Sequence, residues 1–186
     1  MKPWIETWRR HGIPETVDVD AHPSVVHLLE GAMRRYADRP AFRSFGRGIT
    51  YGELDRLSGA FCAWLQHRLG VKKGDRVAVM MPNLLAFPIA CLGILRAGAV
   101  QVNVNPLYTP RELEHQLNDA GAEVIVIYDG STPTLAEIVS RTPIRHGTPG
   151  TGSPAQTMSP PTLMAQRVAP AARTTSAARS AAQPLT

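Results

Sequence analysis

Residues 77–104 read VAVMMPNLLAFPIACLGILRAGAVQVNV, and this stretch decides the fold class. Its first residues, Val77–Met81, are apolar and β-prone, and Pro82-Asn83 then gives a turn signal. An apolar helix is predicted over Leu84–Ala97, closed by the glycine that follows, and a second strand over Ala99–Val104. Apolar strands joined through a helix are typical of a parallel sheet covered by helices. The sequence therefore predicts an α/β fold.

The same stretch has a membrane-spanning alternative. Residues 77–95 contain no charged side chain and reach the minimum length of a spanning helix. Pro82, Asn83 and Pro88 interrupt the stretch, and its first part is β-prone. We therefore interpret it as a strand, a turn and a buried helix rather than as a span.

The pattern continues downstream with a second capped helix. Thr109-Pro110-Arg111-Glu112 places a capping threonine before a proline, with a glutamate three residues later, which predicts a helix start. This helix ends at Gly121, and a continuous apolar strand over Val124–Tyr128 and a short helix over Leu135–Arg141 follow. The downstream half thus extends the same parallel sheet.

Two more helices and a hairpin are predicted upstream. Thr50-Tyr51-Gly52-Glu53 is a capping-box pattern, so a helix starts there and runs to about Leu69. The elements before it are an amphipathic helix over Ser24–Asp38 and two strands, Ala41–Phe45 and Ile49–Tyr51, joined by a turn at Gly46-Arg47-Gly48.

Composition divides the chain into three segments. Residues 147–186 contain no acidic and no aromatic residue and are rich in Ala, Ser, Thr and Pro, so we predict a disordered tail there. Residues 1–23 form an N-terminal arm, which lacks the apolar stretch of a secretory signal. Residues 24–146 are the folded part, an incomplete α/β domain.

Charge and cysteine content exclude two classes of function. The net charge is +5, but no basic stripe with interleaved aromatic residues is present, so nucleic acid is not a predicted partner. Cys62 and Cys91 lie among apolar residues, and we interpret them as buried, reduced thiols of a cytoplasmic protein. No metal-ligand spacing includes either cysteine.

Several motifs together resemble the adenylate-forming, or AMP-binding, superfamily. Agreement in order and spacing runs over about Ser24–Arg145, and the block NVNPLYTPRELEHQLNDAGA at 103–122 is most similar to bacterial long-chain fatty acid–CoA ligases. The other matching motifs are ADRPA at 37–41, TYGEL at 50–54, GDRVAVMMPN at 74–83 and GILRAGA at 93–99.

The resemblance implies an activity for the intact enzyme. Such ligases use ATP and Mg²⁺ to convert a fatty acid carboxylate to an acyl-adenylate, and then transfer the acyl group to coenzyme A. Their phosphate-binding loop, a Ser/Thr/Gly-rich run ending in Pro-Lys-Gly, belongs beyond the point where this chain departs from the family pattern. We therefore assign no catalytic, cofactor-binding or metal-binding residue to this chain, and expect it to bind none of these cofactors itself.

Four features superficially suggest a site. The run Gly147–Pro154 resembles a phosphate loop but has no lysine and no following helix, so we do not interpret it as one. His115 has no nucleophile partner in the pattern, and we interpret it as a solvated or hydrogen-bonded helix residue. Asn103, Asn105 and Tyr108 follow a parallel strand, where α/β folds bind ligands, although turn and cap roles explain them equally well.

The fourth feature is the N-terminal arm, where Trp4 and Trp8 accompany Arg9 and Arg10. We interpret this combination as packing against the protein body or a second subunit, and contact with the inner face of a membrane is the alternative.

Three functional hypotheses stay open. The chain is an inactive part of an acyl-CoA ligase, a non-catalytic module that docks on an intact ligase through its incomplete sheet, or a frame-disrupted product without a role.

Overall fold

The computed structural model describes residues 3–150 and 166–167, which form an α/β arrangement as predicted. The longer helices are α2 (Val25–Arg35), α3 (Tyr51–Arg68), α4 (Ala86–Arg96) and α5 (Pro110–Ala120), and the shorter ones are α1 (Trp4–Arg10) and α6 (Thr132–Ala136). The strands are β1 (Pro40–Ser44), β2 (Arg47–Thr50), β3 (Arg76–Met80), β4 (Val100–Val104), β5 (Val124–Tyr128), β6 (His146–Gly150) and β7 (Gln166–Arg167).

The chain forms two compact units. The first contains Met1–Lys73 and Asn83–Ala99, and the second contains Gly74–Pro82 and the chain from Val100 onward. Helix α4 therefore belongs to the first unit, whereas β3 and β4, its neighbours in sequence, belong to the second.

The second unit is built on the predicted parallel sheet. Its strand order is β4-β3-β5-β6-β7, and all neighbours are parallel except β6 and β7. Val77 of β3 lies opposite Gln101 of β4 and Val124 of β5. Burial on both faces explains the continuous apolar run, because Val77–Met80 are at most 1% exposed.

Helix α5 begins and ends as its sequence predicts. The Thr109 hydroxyl accepts a hydrogen bond from the Glu112 backbone N–H at 3.4 Å, and the Glu112 carboxylate accepts one from the Thr109 N–H at 2.9 Å. Gly121 ends the helix at φ 61°, a left-handed conformation that glycine adopts without a steric penalty. Leu113 and Leu117 on its inner face are fully buried.

In the first unit, α3 and α4 pack closely against each other. The capping box at the start of α3 is present, with Glu53 N–H donating to Thr50 at 3.1 Å and Thr50 N–H donating to Glu53 at 2.8 Å. At the contact with α4, a Cβ built on Gly93 would lie 2.6 Å from Cδ1 of Phe61. The close approach of the two helices therefore requires glycine at this position.

The hairpin loop begins one residue earlier than predicted and is one residue shorter. Ser44 pairs with Arg47, so the two-residue loop is Phe45-Gly46 rather than Gly46-Arg47-Gly48. Phe45 and Gly46 have φ of 48° and 74°, and positive φ at both loop positions is the mark of a type I′ turn. Nothing in the side chain of Phe45 signals this conformation, which is why the pattern misplaced the turn.

Four other elements differ from the sequence-based prediction. Helix α1 lies within the arm, where no regular element was predicted, and the helix expected over Leu135–Arg141 is divided into α6 and a 3₁₀ turn at Val139–Arg141. Strands β6 and β7 also lie within or reach into the segment predicted to be disordered. The rest of that segment, 151–165 and 168–186, lies outside the described residues.

Residues 77–95 form β3, a turn and α4 rather than one long helix, as interpreted from the sequence. Within the part of the chain that the structure describes, no helix has the length and apolar character needed to cross a membrane.

Candidate functional site

The end of β4 and the loop after it carry the residues that the sequence pattern predicted at the ligand-binding edge of the sheet. The Asn105 side-chain oxygen accepts a hydrogen bond from the Leu107 N–H at 3.0 Å, and the Tyr108 N–H donates to the Asn105 carbonyl at 3.1 Å. The Asn103 side chain accepts a hydrogen bond from Gln101 at 2.6 Å. Asn105 therefore has a local turn role in this structure.

A side chain of helix α5 is hydrogen-bonded to strand β4. The Gln116 side-chain amide donates to the carbonyl of Asn103 at 2.8 Å, while its Oε1 atom is buried without a hydrogen-bond partner. Tyr108 packs against the apolar core of the second unit, and Ser131 donates to the Pro106 carbonyl at 3.3 Å. Sequence reasoning missed Gln116, whose position two turns into the helix gave no motif signal.

His115 lies exposed on α5, as interpreted from the sequence. Its neighbour Glu114 pairs instead with Arg141 at 2.9 Å, and the hydrogen bond from Arg141 lowers the pKa of the Glu114 carboxyl. The described residues contain no group of three or more His, Cys, Asp or Glu side chains placed to hold a metal ion.

The two cysteines are not joined in a disulfide, and both are half-buried rather than fully buried as predicted. Burial raises the pKa of the Cys62 thiol, and the nearby Arg96 charge offsets part of this rise. Cys91 lies on α4 and lines a cleft in the first unit.

That cleft is concave and mostly apolar, with a volume of about 610 Å³. Helices α2, α3 and α4 and strand β1 surround it, and most of its lining is apolar; prominent members are Leu29, Phe42, Leu84, Phe87, Cys91 and Leu95. Arg43 and Ser44 lie among the lining residues contributed by β1, where the Ser44 hydroxyl donates to the Asn83 carbonyl at 3.3 Å. The signal available in the sequence is a second apolar stripe on α4, which recurs every three or four residues from Leu84.

Arg96 at the end of α4 is the most enclosed charge in the first unit, with a side chain only 11% exposed. It forms ion pairs with Glu30, at 3.2 Å, and with Asp55, and donates to the Ser58 hydroxyl at 3.0 Å. These contacts tie α4 to α2 and α3.

The N-terminal tryptophans are not buried. Trp4 is exposed and Trp8 half-buried on α1, which has no buried residue, and Arg9 forms an ion pair with Glu15 at 2.6 Å. The run that resembled a phosphate loop is divided: residues 147–150 belong to strand β6, and 151–154 lie outside the described residues.

Comparison with known proteins gives one family match and relatives that share one name. The sequence profile of the AMP-binding enzyme family matches residues 29–181, and this match continues into the segment expected to be unrelated to the family. A long-chain fatty acid–CoA ligase of Salmonella typhimurium is 52% identical over 145 residues, which cover 78% of this chain and 26% of that protein. A Bacillus subtilis protein of the same name is 36% identical over 129 residues, which cover 69% of this chain and 22% of that protein.

Solved structures agree with the fold. The apo structure of Mycobacterium smegmatis MbtA has a TM-score of 0.65 at 31% identity, covering 85% of this chain and 29% of that one. The structure of a long-chain fatty acid–CoA ligase from Archaeoglobus fulgidus has a TM-score of 0.64 at 22% identity, covering 75% of this chain and 29% of that one. The chain thus spans about a quarter of the length of the curated relatives it matches. It belongs to the AMP-binding enzyme family.

Proposed function

We propose that this chain is the N-terminal part of an ATP-dependent long-chain fatty acid–CoA ligase. The intact enzyme would join a fatty acid carboxylate to AMP with release of pyrophosphate, and then transfer the acyl group to coenzyme A. The observation that carries the proposal is the 52% identity with a ligase of that name over 78% of the chain.

Alone, the chain has no adenylating activity in this proposal. The loop after β4 is held by its own turn, Gln116 is hydrogen-bonded to the Asn103 carbonyl of β4, and His115 is exposed on α5. Holding two reactants in the correct geometry supplies about 7–11 kcal/mol of barrier reduction, and no described residue is placed to orient ATP against a carboxylate. The contribution of this part is therefore structural: it provides strands of the sheet and the helices of the first unit.

Pyrophosphate release tests this proposal directly. The purified chain is incubated with palmitate, ATP and Mg²⁺, beside the intact Salmonella relative as positive control and a no-protein blank. We expect the chain to match the blank. Release above the blank that depends on palmitate would show a complete active site and overturn the claim of inactivity.

The proposal also includes the division of the chain into segments and its location in the cell. Residues 1–23 form an arm, 24–146 a partial AMP-binding domain and 147–186 a tail; ATP, Mg²⁺, coenzyme A and the fatty acid bind only to the intact enzyme. We place the protein in the cytoplasm, with peripheral contact to the inner face of the membrane. Exposed Trp4 on α1 supports that contact, and self-association through the same region is the alternative.

A second candidate function is a non-catalytic module that docks on an intact ligase. The observation that favours it is the edge position of β4, where Val100 is half exposed and no neighbouring strand is present among the described residues. Co-purification with the intact Salmonella ligase tests it, and failure to recover a complex at micromolar concentrations would count against it.

A further inference from the structure

The tip of the β1–β2 hairpin carries an aromatic side chain that contributes little to the packing of the fold. Phe45 is the first residue of the two-residue loop and is 82% exposed. The tip projects from the body of the first unit, because a Cβ built on the next residue, Gly46, would meet no atom within 4 Å. A single exposed apolar side chain is ordinary by itself, so the argument depends on its backbone and on its surroundings.

The backbone conformation makes Phe45 unusual. Within the residues that the structure describes, it is the one non-glycine residue with a positive φ, at 48°. The first loop position of a type I′ turn favours Asn, Asp or Gly, because a bulky side chain strains the left-handed conformation. Phenylalanine therefore makes the turn less stable and gains almost no burial there in return. Strain that packing does not explain is typical of functional positions.

The charges around the tip are all positive. Residues 40–50 contain two arginines and no acidic residue. Arg43 and Arg47 precede and follow the loop, both are exposed, and neither forms an ion pair with another described residue. Together with Phe45 and Gly48, they line an open hollow of about 540 Å³ beside the tip. The hollow therefore offers two guanidinium groups to a phosphate-sized anion.

We propose that the hairpin tip binds an anionic membrane surface, where Phe45 enters the interface of the bilayer while Arg43 and Arg47 bind phosphate head groups. An apolar ring accompanied by cationic side chains is the combination that peripheral membrane segments use. The proposal rests on the proposed function, which includes peripheral membrane contact, and it assigns such a contact to the hairpin as well as to α1.

The same observations favour a bilayer over two other partners. A soluble phosphate ion would engage the arginines but would leave the ring of Phe45 in water. A stable protein interface covers about 800 Å² on each partner, which is far more than a projecting two-residue loop presents. A bilayer needs no complementary shape and can accept a single projecting ring.

Phe45→Asn separates membrane binding from folding. It removes the ring and gives the turn its preferred sequence, so we expect weaker membrane binding together with a higher thermal midpoint by circular dichroism. Phe45→Trp keeps an aromatic ring and should retain binding. The matched control is Leu107→Asn, which removes a side chain that is 86% exposed in the second unit.

A pair of double substitutions tests the charges. Arg43→Gln with Arg47→Gln removes both hairpin charges, and Arg68→Gln with Arg111→Gln removes two exposed charges from helices α3 and α5. Both double variants therefore have the same net charge. A difference between them reports the position of the arginines rather than the overall charge of the chain.

The full chain and its variants are sedimented with phosphatidylcholine vesicles, with and without phosphatidylglycerol. We expect binding to the anionic vesicles, which Phe45→Asn weakens by about ten-fold, as loss of a buried phenyl ring does. The double hairpin variant should weaken it by about thirty-fold, and the two control variants by less than about three-fold.

Four results would overturn the proposal: no binding of the parent chain to anionic vesicles, equal binding by Phe45→Asn and Leu107→Asn, equal weakening by the two double variants, or a lower thermal midpoint for Phe45→Asn. If Phe45→Asn reduces co-purification with the intact Salmonella ligase and leaves vesicle binding unchanged, the tip contacts a polypeptide and the membrane assignment is wrong. These results are independent of the pyrophosphate assay, so the ligase assignment can stand while the membrane contact fails.

Discussion

Gly93→Ala and Gly31→Ala should change stability in opposite directions, although both put the same methyl group into a helix. At Gly93 the new Cβ would lie 2.6 Å from Cδ1 of Phe61 and 3.0 Å from the carbonyl oxygen of Ser58. Because the second contact is with backbone, it is relieved only if α3 and α4 move apart. At Gly31, in α2, no atom lies within 4 Å of the new methyl group.

The magnitudes follow from two opposing effects. Replacing glycine by alanine inside a helix stabilises it by about 0.8–1 kcal/mol, and this gain applies at both positions. Overpacking costs about 1–3 kcal/mol and applies only at Gly93. We therefore expect Gly31→Ala to raise the free energy of unfolding by up to about 1 kcal/mol, and Gly93→Ala to lower it by up to about 2 kcal/mol.

Urea denaturation followed by tryptophan fluorescence measures both changes, since Trp64 stacks on Phe61 at a ring-centroid distance of 5.7 Å. With a slope of about 1.5 kcal/mol per molar urea, Gly93→Ala should lower the midpoint by up to about 1.3 M. Truncating the neighbour, as in Phe61→Leu, should reduce the penalty of Gly93→Ala in a double-mutant cycle. If Gly93→Ala stabilises the chain as much as Gly31→Ala does, the close packing of α3 and α4 described above is incorrect.

Three further predictions concern charges. Arg96→Met removes the enclosed guanidinium that pairs with Asp55 and Glu30. Because the Asp55 side chain is 42% exposed and can be rehydrated, we expect the free energy of unfolding in urea to fall by about 2–3 kcal/mol, which is less than for a fully buried pair. The exposed control Arg34→Met should lower it by under about 0.5 kcal/mol. The hydrogen bond from the Thr109 backbone lowers the pKa of the Glu112 carboxyl. The stabilisation that this carboxylate gives is therefore present above the ordinary carboxyl pKa and is lost as pH falls through the lowered pKa. Glu112→Gln should reduce the thermal midpoint more at pH 7 than at pH 3, and an equal reduction at both would contradict the assignment. Burial raises the pKa of Cys62, so iodoacetamide should modify it more slowly at pH 8 than it modifies free cysteine, and Arg96→Met should slow it further by removing the offsetting charge.

Structure determined by near neighbours could be predicted from the sequence. The capping boxes at Thr50 and Thr109 each involve groups three residues apart. Strands β3 and β5 are buried in the sheet, and this burial is visible in the sequence as a continuous apolar run. These motifs therefore located two helix starts and the parallel sheet. The resemblance to ligases added the family, which the comparisons confirm.

Features that depend on distant partners were missed. Strand β6 contains Gly147 and Pro149, which disfavour strands, and it forms because β5 pairs with it along its length. Arg96 reads as a surface residue in the sequence, yet its carbonyl and carboxylate partners on Asp55 lie 41 residues away. The cleft was missed for the same reason, since it joins α4 to a hairpin about forty residues upstream.

The division into two units has a consequence for how the chain is made and cut. The polypeptide passes from one unit to the other after Lys73, again after Pro82 and a third time after Ala99. During synthesis, the first unit cannot acquire its last helix until β3 of the second has already left the ribosome, so neither assembles as an independent block. A protease that nicks a single linker leaves both units still joined covalently, and a clone ending at Lys73 would lack the α4 surface against which Phe61 packs.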